Sequence, residues 1–193
     1  MNRNLKIGGF ISGAILIAFG VAVIALGFGG RSTVHDNLVQ ENVVGTADMT
    51  PAGIKAEAGK AGLTGVNFPS CSVANKKVTN GSTARCFASY MRIHALEASG
   101  GLTYSEMPRY ASPDGKGTND ATKATKDASG QPLDNAARTT WIDETALSTA
   151  LNVSYMADQL SLFSIVVGFA LLLTGGGFVI LAGFSGRAPG KLA

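Results

Sequence analysis

Histidine and cysteine are scarce in this chain, which has only two of each among 193 residues. Catalytic zinc needs three protein ligands, and a nucleophilic triad needs a histidine beside its nucleophile, so few such sites can be assembled. No nucleophile elbow is present, and the glycine triplet at 175–177 lies in an apolar run rather than in a phosphate-binding loop. We therefore expect a protein that is not an enzyme, with no catalytic residue, no cofactor and no metal ion.

Charge is absent from two long runs, Ile7–Gly30 with 24 residues and Leu160–Gly186 with 27. About 20 helical residues cross a bilayer core, and backbone groups in lipid must hydrogen-bond within their own segment. Both runs are therefore predicted to be transmembrane helices that form an antiparallel hairpin. The alternative for the first run is a cleaved signal peptide, because Met1–Lys6 resembles a basic leader. Against this, the run is about twice the usual length and no clean A-x-A site follows it.

The distribution of charge predicts an orientation. The tails 1–6 and 187–193 carry four basic residues and no acidic one, whereas residues 31–159 carry all 13 acidic residues and the other 12 basic ones. Basic flanks stay on the cytoplasmic side of a membrane. We expect a bacterial plasma-membrane protein that crosses twice, with both tails cytoplasmic and 31–159 extracytoplasmic. Because the excess charge of +3 comes from short tails, nucleic-acid binding is not expected.

Both cysteines, Cys71 and Cys86, fall in the predicted external segment, where an oxidising environment lets disulfides persist. Neither belongs to a C-x-x-C pair, so a structural disulfide is expected. The dipeptide Asn80-Gly81 between them is flanked by valine and threonine, a pattern typical of a β-hairpin turn. The expected fold class is an α-helical membrane protein whose small, mostly α external domain contains a disulfide-stapled β-hairpin.

Helical signals stand on both sides of the predicted hairpin. Thr50 suits an N-cap, Pro51 suits the first helical position and Gly62 suits a stop, so a short helix is expected there. Apolar residues recur at helical spacing from Phe87 onward, and Gly100 suits the left-handed residue that closes such a helix.

The rest of the external segment is predicted to comprise a stalk and a loop. The first apolar helix can continue as far as Gly45, and a helix from Asn135 can run without interruption into the second apolar run, which would give an antiparallel stalk. Residues 108–134 are rich in lysine, aspartate, glycine, serine and threonine. Such a composition buries too little apolar surface to offset ordering, so a mobile loop is predicted.

His94 is the residue with the clearest chemical potential. Glu97 follows it by three positions, and two such side chains on one helix face can share a metal ion. That supplies two ligands at most, and no sequence pattern brings His35 close to them. We interpret His94 as a half-buried polar residue that faces another helix.

Small residues recur in both apolar runs and predict close helix packing. They mark either the contact between the two helices or a docking face for another membrane protein, and both options stay open. Neither run contains an ionisable residue, which argues against an ion or proton path. The candidate packing residues are Gly9, Gly13, Ser164, Gly168, Gly175, Gly176 and Gly177.

The stretch "TARCFASYMRIHALEASGGLTYSEM" (Thr83–Met107) resembles the central signature of a family of small two-helix membrane proteins from high-GC Gram-positive bacteria. Leu38–Pro51 and Tyr155–Leu173 are similar to its flanking parts. The resemblance implies one helix at each end, an external domain and a cysteine near the position of Cys86; this chain departs from the pattern at 108–134. Members are often labelled aromatic ring-opening dioxygenase. That chemistry needs an iron site, so the resemblance implies topology rather than activity.

The leading expectation is a non-enzymatic integral membrane protein that acts as an accessory or structural subunit of a larger plasma-membrane complex. Its partners would be the lipid bilayer and other integral membrane subunits or a second copy of itself. The alternative is an extracytoplasmic ligand-binding or sensor protein, with a pocket between the His94 helix and the stalk. A metal-dependent enzyme is the third hypothesis.

Overall fold

The computed structural model describes residues 3–184, which contain four α-helices. They are α1 (Arg3–Gln40), α2 (Pro51–Lys60), α3 (Gly81–Ala98) and α4 (Ala136–Phe184). The chain divides into two compact units. We call the described residues 3–35 and 156–184 the helix pair, and residues 36–155 the central unit.

The helix pair consists of the two apolar runs that the sequence predicts to be helical. Both α1 and α4 are long and apolar enough to cross a membrane. α1 begins at Arg3 and ends at Gln40, short of Gly45, because Asn42 turns the chain with a left-handed φ of 50°. α4 is continuous from Ala136 to Phe184, as predicted. The predicted tail 187–193 and the last residues of the second run lie outside the described residues.

Small residues spaced by seven hold α1 and α4 together. Gly13, Gly20 and Gly27 on α1 face Gly175, Gly168 and Ser161 on α4, so each step along α1 matches an equal step back along α4. A Cβ added at Gly20 would lie 2.8 Å from the Gly168 carbonyl oxygen, and one added at Gly168 would lie 2.8 Å from the Gly20 carbonyl oxygen. The two backbones therefore touch. A seven-residue repeat is that of a left-handed coiled pair.

One ion pair joins the same two helices. The Arg31 Nε donates to Asp158 Oδ1 at 3.0 Å, and the aspartate side chain is buried while the arginine is half exposed. A buried carboxylate needs such a partner, because burial without one is costly.

The predicted β-hairpin is wrong. No β-strand occurs among residues 3–184, where only isolated bridges such as Val44 with Lys77 are found. Asn80 is instead the N-cap of α3: its side chain accepts a hydrogen bond from the Thr83 N–H, and the Thr83 hydroxyl accepts one from the Asn80 N–H. Asparagine suits a helix cap as well as a turn, and the threonine three residues later completes a reciprocal cap.

The predicted disulfide is present and joins Cys71 to Cys86. Because Cys86 lies in α3, the bridge attaches that helix to the irregular segment before it rather than closing a hairpin. The Tyr90 hydroxyl adds a second attachment by donating to the Cys71 carbonyl oxygen at 2.6 Å. These contacts enclose the core of the central unit, whose most buried large side chains are Ile54, Val73, Val78, Tyr90 and Ile93.

The predicted short helix is α2. Thr50 caps it by accepting a hydrogen bond from the Gly53 N–H, Pro51 is its first residue, and Gly62 follows its end with a φ of +70°. α2 packs against α3. This packing brings side chains of the two helices close together, which positions the candidate site.

Residues 108–134 contain turns and bridges but no helix. Backbone hydrogen bonds pair Tyr110 with Thr118 in both directions, and the Ala111 N–H donates to the Leu133 carbonyl oxygen. The segment therefore has a defined conformation built on its backbone, while its mobility stays a prediction. Asn135 ends it and caps α4 by accepting a hydrogen bond from the Ala137 N–H.

Candidate functional site

A histidine and two carboxylates converge at one place in the central unit. His94 Nε2 lies 2.8 Å from Asp48 Oδ2 and 3.8 Å from Glu57 Oε2. One ligand atom from each of the three residues falls within 4.8 Å of the others. All three side chains are partly exposed, so the cluster is accessible from solution.

Three separate parts of the chain supply these side chains. Glu57 follows the fully buried Ile54 by three positions on α2, which turns its carboxylate toward the same neighbour, α3. His94 follows the fully buried Tyr90 by four positions on α3, so it faces back toward α2. Asp48 precedes the cap of α2. A hydrogen bond from the Thr46 side chain holds its pKa below the ordinary value, and His94 acts in the same direction.

Glu97 is an electrostatic neighbour of this group. Burial raises its pKa, the neighbouring His94 opposes that rise, and the Glu57 and Asp48 carboxylates add to it. Its Oε1 atom is buried and has no hydrogen-bond partner within residues 3–184. We call Asp48, Glu57, His94 and Glu97 the carboxylate–histidine cluster. It gathers three acids around one imidazole.

Sequence reasoning identified only half of this cluster. The helical spacing of His94 and Glu97 was recognised, but Asp48 lies 46 residues away from His94 in the chain and Glu57 lies on a different helix. His35, which was considered as a third ligand, belongs to the helix pair instead. The Thr50 cap predicted the start of α2 but gave no indication that Glu57 would lie near His94.

The predicted packing residues of the apolar runs fall into two groups. Gly9, Gly13, Gly168 and Gly175 lie against the opposite helix. A Cβ added at Gly176 or Gly177 would meet no atom within 4 Å, and the Ser164 hydroxyl donates to the Leu160 carbonyl oxygen of its own helix. Sequence reasoning missed four contact residues because it looked for spacings of four rather than seven: Gly20, Gly27, Ser161 and Ala182.

A groove of about 660 Å³ lies between α3 and the first part of α4, within the central unit. Glu144 forms part of its wall with only 5% of the residue exposed, and its Oε1 has no hydrogen-bond partner in the described part of the chain. His94 lies at the same groove. The rest of the wall is largely apolar and includes Met49, Phe87, Met91, Ala95 and Leu147.

Comparisons with protein families, with curated proteins and with solved structures find no match to this chain.

Replacing Glu97 by Gln is expected to stabilise the protein at pH 7 when no metal ion is bound. A carboxyl group whose pKa is raised in the folded state ionises more easily in the unfolded state. As the pH rises from the unfolded pKa to the folded pKa, its ionisation therefore lowers the free energy of unfolding. The advantage of Glu97→Gln should therefore be present at neutral pH and disappear at acidic pH. Thermal unfolding of the full chain in detergent with a chelator present would measure it.

Glu106→Gln is the matched control. The Thr103 N–H and hydroxyl both donate to the Glu106 carboxylate, which lowers its pKa. Its loss should therefore destabilise the protein at neutral pH, with the opposite sign. A lower melting temperature for Glu97→Gln than for the natural sequence at pH 7 would contradict the raised pKa of Glu97.

Proposed function

We propose that this chain is an integral protein of the bacterial plasma membrane that crosses the bilayer twice and holds the central unit outside the cell. Large apolar side chains cover the outer faces of the helix pair, with Leu26 74% and Leu173 78% exposed. A water-facing surface of this kind is unfavourable, whereas lipid accommodates it. The basic tails support a cytoplasmic location for both ends. The disulfide supports an oxidising compartment for the central unit.

Reporter fusions test this orientation. Alkaline phosphatase attached after Ala193 should be inactive and green fluorescent protein at the same site should fluoresce, because both ends are expected inside the cell. Phosphatase inserted in the turn at Gly115, within residues 108–134, should be active. Active phosphatase at Ala193 would contradict the proposed topology.

The role we propose is that of a non-enzymatic accessory subunit in a larger membrane complex. The observation that carries this proposal is a second set of glycines, on the outer faces of the helix pair. A Cβ added at Gly176 or Gly183 on α4 would meet no atom within 4 Å, so these residues do not serve the contact with α1. Outward glycines let another transmembrane helix approach closely. Neither apolar run holds an ionisable residue that could carry ions or protons.

Gly176→Leu is expected to release the protein from its complex while leaving it folded. The leucine would block an approaching helix without meeting any atom of this chain. The tagged protein would be extracted from native membranes in mild detergent, and its size and co-purifying proteins would be compared with those of the natural sequence.

Two further variants serve as controls for that experiment. Val166→Leu enlarges an exposed side chain of α4 that is not a glycine and should leave the complex intact. Gly20→Leu should disturb the helix pair itself, since the backbone of α4 lies against that glycine. A natural-sequence protein that runs as a uniform free monomer would contradict the proposed role.

The groove beside Glu144 supports a second candidate function, the binding of an extracytoplasmic ligand. A buried carboxylate oxygen without a hydrogen-bond partner is costly and suits an N–H donor. The apolar wall suits a hydrophobic body attached to that donor. The class of ligand indicated is therefore a small hydrophobic amine, with its ammonium group at Glu144.

Phenethylamine is a simple probe for this groove. It should raise the melting temperature of the natural protein in a saturable manner. Glu144→Gln should weaken the binding affinity about tenfold, because a charge-assisted hydrogen bond is lost. Asp143→Asn removes a neighbouring exposed carboxylate at the same groove and should change the response little. An identical response from the two variants would count against a ligand site at Glu144.

A further inference from the structure

We infer that Asp48, Glu57 and His94 of the carboxylate–histidine cluster bind a divalent transition-metal ion, with zinc as the best-suited ion and Glu97 as an adjacent negative charge. This inference goes beyond both proposed functions, since neither subunit assembly nor amine binding involves a metal ion, although His94 also lines the groove beside Glu144. It also replaces the expectation, drawn from the scarcity of histidine, that the chain offers no metal site.

The distances are close to those that a zinc ion requires. Zinc binds histidine nitrogen and carboxylate oxygen at about 2.0–2.2 Å, which places tetrahedral ligand atoms roughly 3.3–3.6 Å apart. The separations of 2.8 and 3.8 Å from His94 Nε2 stand on either side of that value. The ligand atoms of Asp48, Glu57 and His94 all lie within 4.8 Å of one another, so small side-chain rotations are sufficient to close these three ligands on an ion.

Glu97 supplies a second and independent observation. Its Oε1 is buried without a hydrogen-bond partner in the described residues, although His94 and two other carboxylates surround it. Buried polar atoms almost always have a partner, and an exception calls for an explanation. A metal ion held by the other three residues would place a positive charge near this unpaired oxygen and offset the repulsion from its neighbours.

The charge of the cluster also favours a cation. Three carboxylates share one imidazole, and within residues 3–184 the ion pairs of Asp48 and Glu57 involve only His94. No lysine or arginine in that part of the chain forms an ion pair with Glu97. A divalent ion would remove most of the repulsion among the acids, which the fold otherwise has to tolerate.

The ligand types select among metal ions. Calcium and magnesium favour sites made wholly of oxygen, whereas imidazole suits zinc and its first-row neighbours. Affinity for nitrogen and oxygen ligands is higher for zinc than for manganese or iron(II). Zinc is therefore the ion to test first.

The full chain, purified in detergent with a tag that contains no histidine and stripped with a chelator, would be titrated with zinc sulfate against a chromophoric zinc chelator. We expect one zinc ion for each chain. His94→Ala and Glu57→Gln should each weaken binding by about 100-fold, the upper range seen when groups that merely support a metal site are lost. His35→Ala, which removes the only other histidine of the chain, should leave the affinity unchanged.

A second measurement guards against variants that fail to fold. Cobalt(II) in place of zinc gives visible absorption whose intensity reports four-coordinate geometry. The spectrum of the natural protein can also show histidine ligation, so this measurement does not depend on a variant that folds. Glu97→Gln, expected to be more stable without metal, removes a negative charge near the ligands and should bind zinc more weakly, so a stable fold and reduced affinity would occur in one variant. Absence of saturable zinc binding by the natural protein, or unchanged affinity in His94→Ala, would overturn the inference.

Discussion

Direct contact between two polypeptide backbones is the constraint on which the helix pair depends. Helices in lipid gain no hydrophobic free energy by associating, because lipid is as apolar as their side chains. Association then requires close packing, and a Cβ at Gly13 or Gly20 would collide with a carbonyl oxygen of α4. The absence of a side chain every seven residues is therefore what lets α1 and α4 meet.

The central unit depends on a different kind of restraint. Its core is small, and the disulfide between Cys71 and Cys86 together with the hydrogen bond from Tyr90 to the Cys71 carbonyl fixes α3 against the preceding segment. Disulfides commonly support domains whose apolar core is too small to be stable without them. With α3 fixed and α2 packed beside it, His94 and Glu57 are held close enough to act together.

Much of the helical structure was predictable because its causes are local. The absence of charge in two runs identifies α1 and the second half of α4, and the sequence Thr50-Pro51 locates the start of α2 within one residue. The dipeptide Asn80-Gly81 misled because a hairpin turn and a helix cap use the same residue types, and the deciding partner, Thr83, was not considered. The carboxylate–histidine cluster was out of reach for another reason. Asp48, Glu57 and His94 meet only through the packing of α2 on α3, which no local pattern encodes.

A repeat of identical small residues carries an ambiguity of alignment. Sliding α1 along α4 by seven residues, about 10 Å, would again place small residues opposite each other. Gly13 would then face Gly168, and Gly20 would face Ser161. The backbone fit alone cannot tell such alignments apart. The bond between Arg31 and Asp158 can, because a slide would leave the buried aspartate without its counter-charge. The ion pair therefore favours one alignment over several near-equivalent ones, as a buried asparagine does in coiled coils.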